Sequence, residues 1–224
     1  MQATLDRIDS PEGFILDPSL VLYLPLYRLD GASFMSKDAY GHLCTVTGAL
    51  WRPDGRYFDG VDDLINCGND SSLYSADYLT IEQWINPTDA GEGGYGRLWW
   101  KHDASIGTEA YMSNAPRVVL GLYTGGVSRT LTTTIDSVPY GSFTYVVMVY
   151  DGAHLIAYIN GMYDKQVDAT GAIDDHSAFA LLIGGRPTGI YCFHGLIGEV
   201  RIYNRALTLL EIQNHYLATK WRYR

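Results

Sequence analysis

Three aspartates, Asp59, Asp62 and Asp63, stand close together in the stretch FDGVDDLINCG. Carboxylate oxygens at this spacing are hard ligands of the kind Ca2+ takes, which makes calcium the one candidate cofactor; the same side chains also cap tight turns by accepting backbone N–H groups. Asp62 and Asp63 are neighbours at the expected start of a strand, where consecutive side chains diverge, so only one of them is expected to join Asp59 around an ion. The chain has no EF-hand register, and turn capping is the favoured reading. Asp174 and Asp175 form a second oxygen-rich turn of the same kind.

A different chemistry is offered by DAGEGGYGRLWWKHDASIGTEAY, residues 89–111. Its glycine-rich loop exposes Tyr95, and Trp99 and Trp100 then alternate to opposite faces of a strand. An exposed aromatic ring stacks on the apolar face of a pyranose while His102, with Lys101 or Asp103 beside it, hydrogen-bonds the hydroxyls. The competing and favoured reading buries both tryptophans, one in the core and one under a loop. A second rim loop, GGRPTGIYCFHG, supplies Arg186 and Tyr191. Tyr95, Trp99, Trp100, His102, Arg186 and Tyr191 are therefore the candidate ligand-binding residues.

No catalytic constellation accompanies them. The chain lacks a Gly-x-Ser-x-Gly elbow, an HExxH helix and a phosphate-cradling glycine loop. The six histidines, His42, His102, His154, His176, His194 and His215, are scattered singly, as surface or hydrogen-bonded residues would be. The expectation is a protein that is not an enzyme.

The formal charge of −9 argues against a nucleic-acid backbone as partner, since that requires a basic footprint. Acidity is carried by 19 aspartates against six glutamates, and there are 18 tyrosines. Aspartate supports turns and tyrosine suits pleated surfaces, so both point to a turn-rich β protein. Cys44, Cys67 and Cys192 show no CxxC spacing, so a zinc site and a full disulfide framework are not indicated and at most one bridge is expected. No apolar run approaches a membrane span. The first dozen residues carry Asp6, Arg7, Asp9 and Glu12 in place of a signal core, which fits either use without classical export or a fragment of a longer exported chain.

The elements that must hold these residues are short alternating segments separated by Asp30-Gly31, Asp54-Gly55, Asp59-Gly60, Asp151-Gly152 and Asn160-Gly161. TYVVMVYDGAHLIAYINGMYDKQV predicts three consecutive strands, with Val147, Val149, Leu155, Ala157 and Ile159 sharing one parity. Further strands are expected at 20–26, 56–60, 63–68, 79–87, 97–102, 117–125, 179–185 and 195–204. Thr208 and Glu211 have capping-box spacing, and Leu209, Ile212 and Tyr216 give a short amphipathic helix. The result is an all-β, antiparallel two-sheet jelly-roll sandwich with a short C-terminal helix. Residues 1–17 are read as an extension and 18–224 as a single domain.

FDGVDDLI, LTIEQWINP, the VYDG…AYINGMY hairpin, LLIGG and FHGLIGEVRIYNRALTLLEI, in this order, resemble the laminin G-like jelly rolls of the concanavalin A-like lectin and glucanase superfamily. The resemblance implies two packed sheets, one concave, with ligands at the concave face or its rim loops. Lys101 and Asp103 match a family strand reading SKGD. Two positions depart from the pattern: Phe143–Val147 replaces a WTHVA-like segment, and Gly198 stands where the family commonly has an aspartate that holds a structural calcium in its enzymes. Retaining glucanases of the superfamily carry Glu-x-Asp-x-x-Glu on one strand, whereas no glutamate here has an aspartate two residues later, and Glu82-Gln83-Trp84 lacks both partners. The expected function is a non-catalytic recognition module for a glycan or a protein surface in an extracellular or cell-surface setting. The alternative is a structural or adhesive virion component contacting capsid or tail proteins.

Overall fold

The computed structural model describes residues 17–103, 106–187 and 189–224. Its strands are β1 (Leu20–Pro25), β2 (Ser33–Met35), β3 (Leu43–Thr47), β4 (Leu50–Arg52), β5 (Gly55–Asp59), β6 (Leu64–Asn66), β7 (Leu79–Pro87) and β8 (Arg97–Asp103). They continue with β9 (Ile106–Met112), β10 (Val118–Thr124), β11 (Val127–Thr132), β12 (Thr144–Tyr150), β13 (His154–Ile159), β14 (Met162–Asp168), β15 (Leu182–Ile183) and β16 (His194–Tyr203), followed by helix α1 (Leu209–Thr219). Sheet A runs β14-β13-β12-β7-β16-β5-β4, with β1 also on β16; sheet B runs β11-β10-β9-β8-β15-β6-β3-β2. All named pairs are antiparallel.

The facing sides of the two sheets bury one continuous core that includes Phe58, Ile85, Leu98, Trp99, Leu120, Met148, Phe193 and Ile202. A second apolar cluster lies on the far side of sheet A, where Trp84, Tyr145, Val147, Val149 and Tyr203 are covered by Ile212 of α1 and by Tyr223. Sheet A is therefore buried on both faces, which explains why β12 has no exposed residue along its length. The hairpin parity expected from sequence is corrected by this layering. Val147 and Val149 pair with Tyr158 and Ile156 towards α1, whereas Leu155 and Ala157 face the inter-sheet core.

The helix forms as its ends dictate. Thr208 Oγ1 accepts the Glu211 N–H while the Glu211 carboxylate accepts the Thr208 N–H, closing the capping box. Ile212 is its buried anchor and Leu209 is exposed. Arg205 ties this cap back to the start of β1 through Glu211 and Asp17, at 2.8 and 2.6 Å. Apart from Asp17, the extension expected over residues 1–17 lies outside the described residues.

Gly198 marks where β16 exchanges partners. Residues up to Ile197 pair with β5, residues from Glu199 pair with β1, and the register towards β7 shifts between Ile197 and Val200. The ring of Tyr223 lies against this point, so a Cβ at 198 would stand 2.3 Å from its Cε1. Glycine in place of the family's aspartate makes room for the C-terminal tail.

All three cysteines are buried free thiols.

Candidate binding face on sheet B

The order of side chains along β8 is altered by a bulge. Its register shifts between Arg97 and Trp99, so that Leu98 and Trp99 both enter the core and Arg97 and Trp100 are left together on the outer face. On β9 the residues opposite them are Tyr111 for Arg97 and Glu109 for Trp100. The connection from β15 to β16 brings Arg186 and Tyr191 over the same place.

Rings and guanidinium groups alternate there. Arg186 lies 4.2 Å from the Trp100 ring centroid and 5.4 Å from that of Tyr191. Arg97 lies 4.4 Å from Tyr111 and 5.1 Å from Trp100. Tyr95 completes the row, 5.8 Å from Tyr111 and 5.7 Å from Tyr191. Cation–π contacts of this kind contribute roughly 0.5–2 kcal/mol each, more where water is excluded. Beside the row is an open depression of about 420 Å3 lined by Tyr95, Tyr111, Ser113, Asn114, Arg117 and Val119.

The polar groups are unevenly satisfied. Arg97 Nη1 is 2.7 Å from Glu109 Oε2, an ionic contact that lacks the alignment of a hydrogen bond, and Arg97 Nε has no partner among the described residues. Burial raises the Glu109 carboxyl against the opposing pull of Arg97. His102 is only 8 % exposed and, among the described residues, neither ring nitrogen has a partner. The other five histidines each have one: His42 at the Val21 carbonyl, His154 at Asp151, His176 at the Asp174 carbonyl, His194 at Asp89 and Tyr57, His215 at Glu82. Burial first, then the charges of Arg97 and Arg186, push the His102 imidazole down to about 4, so the ring is neutral at pH 7.

The rim loops are held in place from below. Tyr191 has φ of 57°, a left-handed conformation that costs a non-glycine residue energy and persists where surrounding contacts enforce it. Those contacts are the Glu92 carboxylate, which accepts the Tyr191 N–H, and the Arg97 N–H, which donates to the Tyr191 carbonyl at 2.8 Å. Below Tyr191, His194 bridges Asp89 at 2.8 Å and the Tyr57 hydroxyl at 2.9 Å, pinning both loops to β5.

Five of the six residues expected from sequence, namely Tyr95, Trp100, His102, Arg186 and Tyr191, thus share one face. The sixth, Trp99, does not: it is fully buried in the inter-sheet core. Trp100 is not an open indole either, being 6 % exposed beneath the arginines. Lys101 also departs from expectation, pointing inward to donate to the Phe179 carbonyl, with burial lowering its amine to about 8. Arg97, Glu109 and Tyr111 were not anticipated. Simple alternation puts Arg97 and Trp100 on opposite faces, and only the bulge at Leu98 reunites them.

Asp59, Asp62 and Asp63 converge further than the sequence suggests. One carboxylate oxygen from each lies within 4.8 Å of the others. Residues 60–63 form a turn, with β6 beginning at Leu64, so the divergence of strand neighbours does not apply. Turn capping is present as well: Asp59 Oδ1 accepts the Val61 N–H and Asp63 Oδ2 accepts the Asp59 N–H, both at 2.8 Å. Asp63 is buried against Gly48, where a Cβ would meet its Oδ1 at 1.6 Å. Burial raises its carboxyl, and the charges of Asp59 and Asp62 add to that against the Asp59 N–H. Among the described residues no cation pairs with the three. Oxygen donors carrying like charge fit a hard divalent cation, with further oxygens needed to complete its shell. Asp174 and Asp175 act as turn acceptors for the Gly126 and Ser177 N–H groups.

The architecture defines a two-sheet jelly roll of the lectin type. Residues 59–213 match the family described as the concanavalin A-like lectin/glucanases superfamily, and the chain belongs to it. The curated proteins contain no match to it. Similar solved structures include the binding domain of Paraclostridial Mosquitocidal Protein 1, with a TM-score of 0.69 and 14 % identity over 91 % of this chain and 52 % of that one. The binding domain of botulinum neurotoxin serotype G gives 0.70 and 14 % over 88 % and 50 %. That of botulinum neurotoxin DC, solved in complex with SialylT, gives 0.68 and 13 % over 89 % and 51 %. The chain thus spans about half the length of the structures it resembles.

Proposed function

We propose that the chain is a non-catalytic recognition module that binds carbohydrate through the outer face of sheet B, in an extracellular setting. The observation that carries this reading is His102, buried, neutral and without a hydrogen-bond partner among the described residues, beside the rings of Trp100 and Tyr123 on the face that also carries Tyr95, Tyr111 and Tyr191. Buried polar groups are nearly always satisfied, so this one asks for a partner. A sugar hydroxyl both donates and accepts, which suits a neutral imidazole, and the tyrosine rings suit the apolar faces of a pyranose. Support from similarity is at the level of the fold, since the similar structures are named as binding domains.

A hydrolase reading that uses Glu82 and Glu109 is not favoured. Glu82 lies on sheet A beneath α1, bound to His215, whereas Glu109 lies on sheet B, so the two do not flank one cleft. A divalent cation at Asp59, Asp62 and Asp63 would serve to brace the turn after β5.

A protein partner is the second reading. It is favoured by Leu210, Leu217 and Trp221, exposed apolar residues on and just beyond α1, on the opposite side of the sandwich. A glycan array probed with wild type, Tyr95→Ala and Tyr191→Ala separates the two. Binding to a defined sugar, about tenfold weaker in either variant, supports the carbohydrate reading. Binding only to a protein, such as a capsid or tail component, supports the other.

A further inference from the structure

The arginines buried among the described residues, Arg56, Arg97 and Arg201, each have an oxygen partner. Arg201 bonds Glu199 and pairs with Glu82, and Arg56 donates to the carbonyls of Ala49, Asp30 and Gly31. Arg97 has at least the ionic contact with Glu109. Arg186, which is only partly buried, differs: among the described residues no hydrogen bond or ion pair reaches its guanidinium, and of its nitrogens Nε is buried without a partner. What holds it are the rings of Trp100 and Tyr191. Stacking fixes the plane of a guanidinium and leaves its edge of N–H donors free, the arrangement that reads a carboxylate or sulfate through paired hydrogen bonds.

The local charge agrees. Although the chain as a whole carries −9, this face brings Arg97 and Arg186 together, with the Glu109 carboxylate paired to Arg97 and the Glu92 carboxylate engaged by the Tyr191 N–H. The field of the two arginines reaches His102, whose imidazole both of them disfavour from protonating. A neutral sugar would use the rings and His102 and leave the Arg186 donors with water.

We infer that the ligand of this face is an acidic glycan, whose sugar carboxylate or sulfate is bound by the free edge of Arg186 with Arg97 behind it. The inference rests on the reading of this face as a sugar site. It adds the class of sugar and assigns to Arg186 the discrimination between acidic and neutral ligands.

The test uses matched pairs of oligosaccharides: sialic-acid-terminated against the desialylated form, glucuronate-terminated against its methyl ester, and sulfated against desulfated. Binding to the whole chain is measured by calorimetry for wild type, Arg186→Gln and Tyr95→Ala. In at least one pair the acidic member should bind about tenfold more tightly to wild type, and Arg186→Gln should bring the two members to within about twofold. Which pair responds distinguishes carboxylate from sulfate. The ester and desulfated arms need no variant, so they decide the matter even if Arg186→Gln is poorly folded. Equal binding of acidic and neutral members, or a preference that survives Arg186→Gln, overturns the inference and leaves the sugar face standing. Failure of every oligosaccharide to bind, or acidic binding indifferent to Tyr95→Ala, overturns the sugar face and the inference with it.

Discussion

Arg186 lies over the indole of Trp100, its guanidinium carbon 4.2 Å from the ring centroid. Trp100 is on the outer face of sheet B, yet this contact and that of Arg97 leave it 6 % exposed. The loop between β15 and β16 therefore covers the ring as well as lining the face.

Removing that cover has a spectroscopic consequence. Arg186→Ala should shift the tryptophan emission to the red as water reaches Trp100, while the loss of its cation–π contacts with Trp100 and Tyr191 lowers stability by about 0.5–2 kcal/mol each. Trp99→Ala, which empties a core site, should cost about 3–5 kcal/mol. Tyr95→Ala, at a residue 44 % exposed, should leave the melting temperature nearly unchanged. Emission spectra and thermal melts of the three variants check these differences.

The buried network on the far side of sheet A sets an acid limit. Glu82, 1 % exposed, is bound by His215 at 3.0 Å and faces Arg201 at 3.4 Å. Burial raises its carboxyl, but His215 and Arg201 outweigh burial and hold it below the ordinary value of 4.5. The stability tied to this group is fully present above the unfolded-state value and is lost as pH falls through the lower folded value. Melting temperature should drop on acidification below about pH 4.5, and Glu82→Gln should flatten that limb. Because Arg201 and His215 lose a partner, the same variant should cost about 3 kcal/mol at neutral pH.

Gly198 and Tyr223 form a size-matched pair. Gly198→Asp restores the residue common in the family and drives a Cβ to 2.3 Å from the Tyr223 ring, which stacks 4.6 Å from Trp84. A loss of about 1–3 kcal/mol is expected, and most of it should disappear when the substitution is made in a Tyr223→Ala background. A double-mutant cycle by urea unfolding measures the coupling.

Calcium at the turn after β5 has its own signature. If Asp59, Asp62 and Asp63 hold the ion, added Ca2+ should raise the melting temperature, by the equivalent of about 2.7 kcal/mol at a hundredfold excess over Kd, and Asp59→Ala should abolish the rise. An unchanged melting temperature with Ca2+ and with chelator would reduce the cluster to turn chemistry.

What the sequence made legible follows the strength of each local signal. The β12–β14 hairpins announce themselves through Asp151-Gly152 and Asn160-Gly161, and α1 through its capping box, because these depend on neighbours along the chain. The strands β2, β3, β4, β9 and β11 were not anticipated; they are short or mix glycine, serine and threonine with few apolar residues, and they form because an adjacent strand is there to pair with. The candidate face was partly visible, since aromatic and arginine residues in glycine-rich loops stand out. Arg97 was hidden by the bulge at Leu98, and the shielding of Trp100 by a residue 86 positions further on depends on tertiary contact alone.

The measurement that bears most directly on the sugar face is an NMR titration with the oligosaccharide that binds best, following backbone amides together with the indole and imidazole resonances. Shifts confined to Tyr95, Trp100, His102, Arg186 and Tyr191, with Trp221 and α1 unmoved, are the expected result. Shifts clustered on α1 and Trp221, or no specific shift with any oligosaccharide, would contradict it.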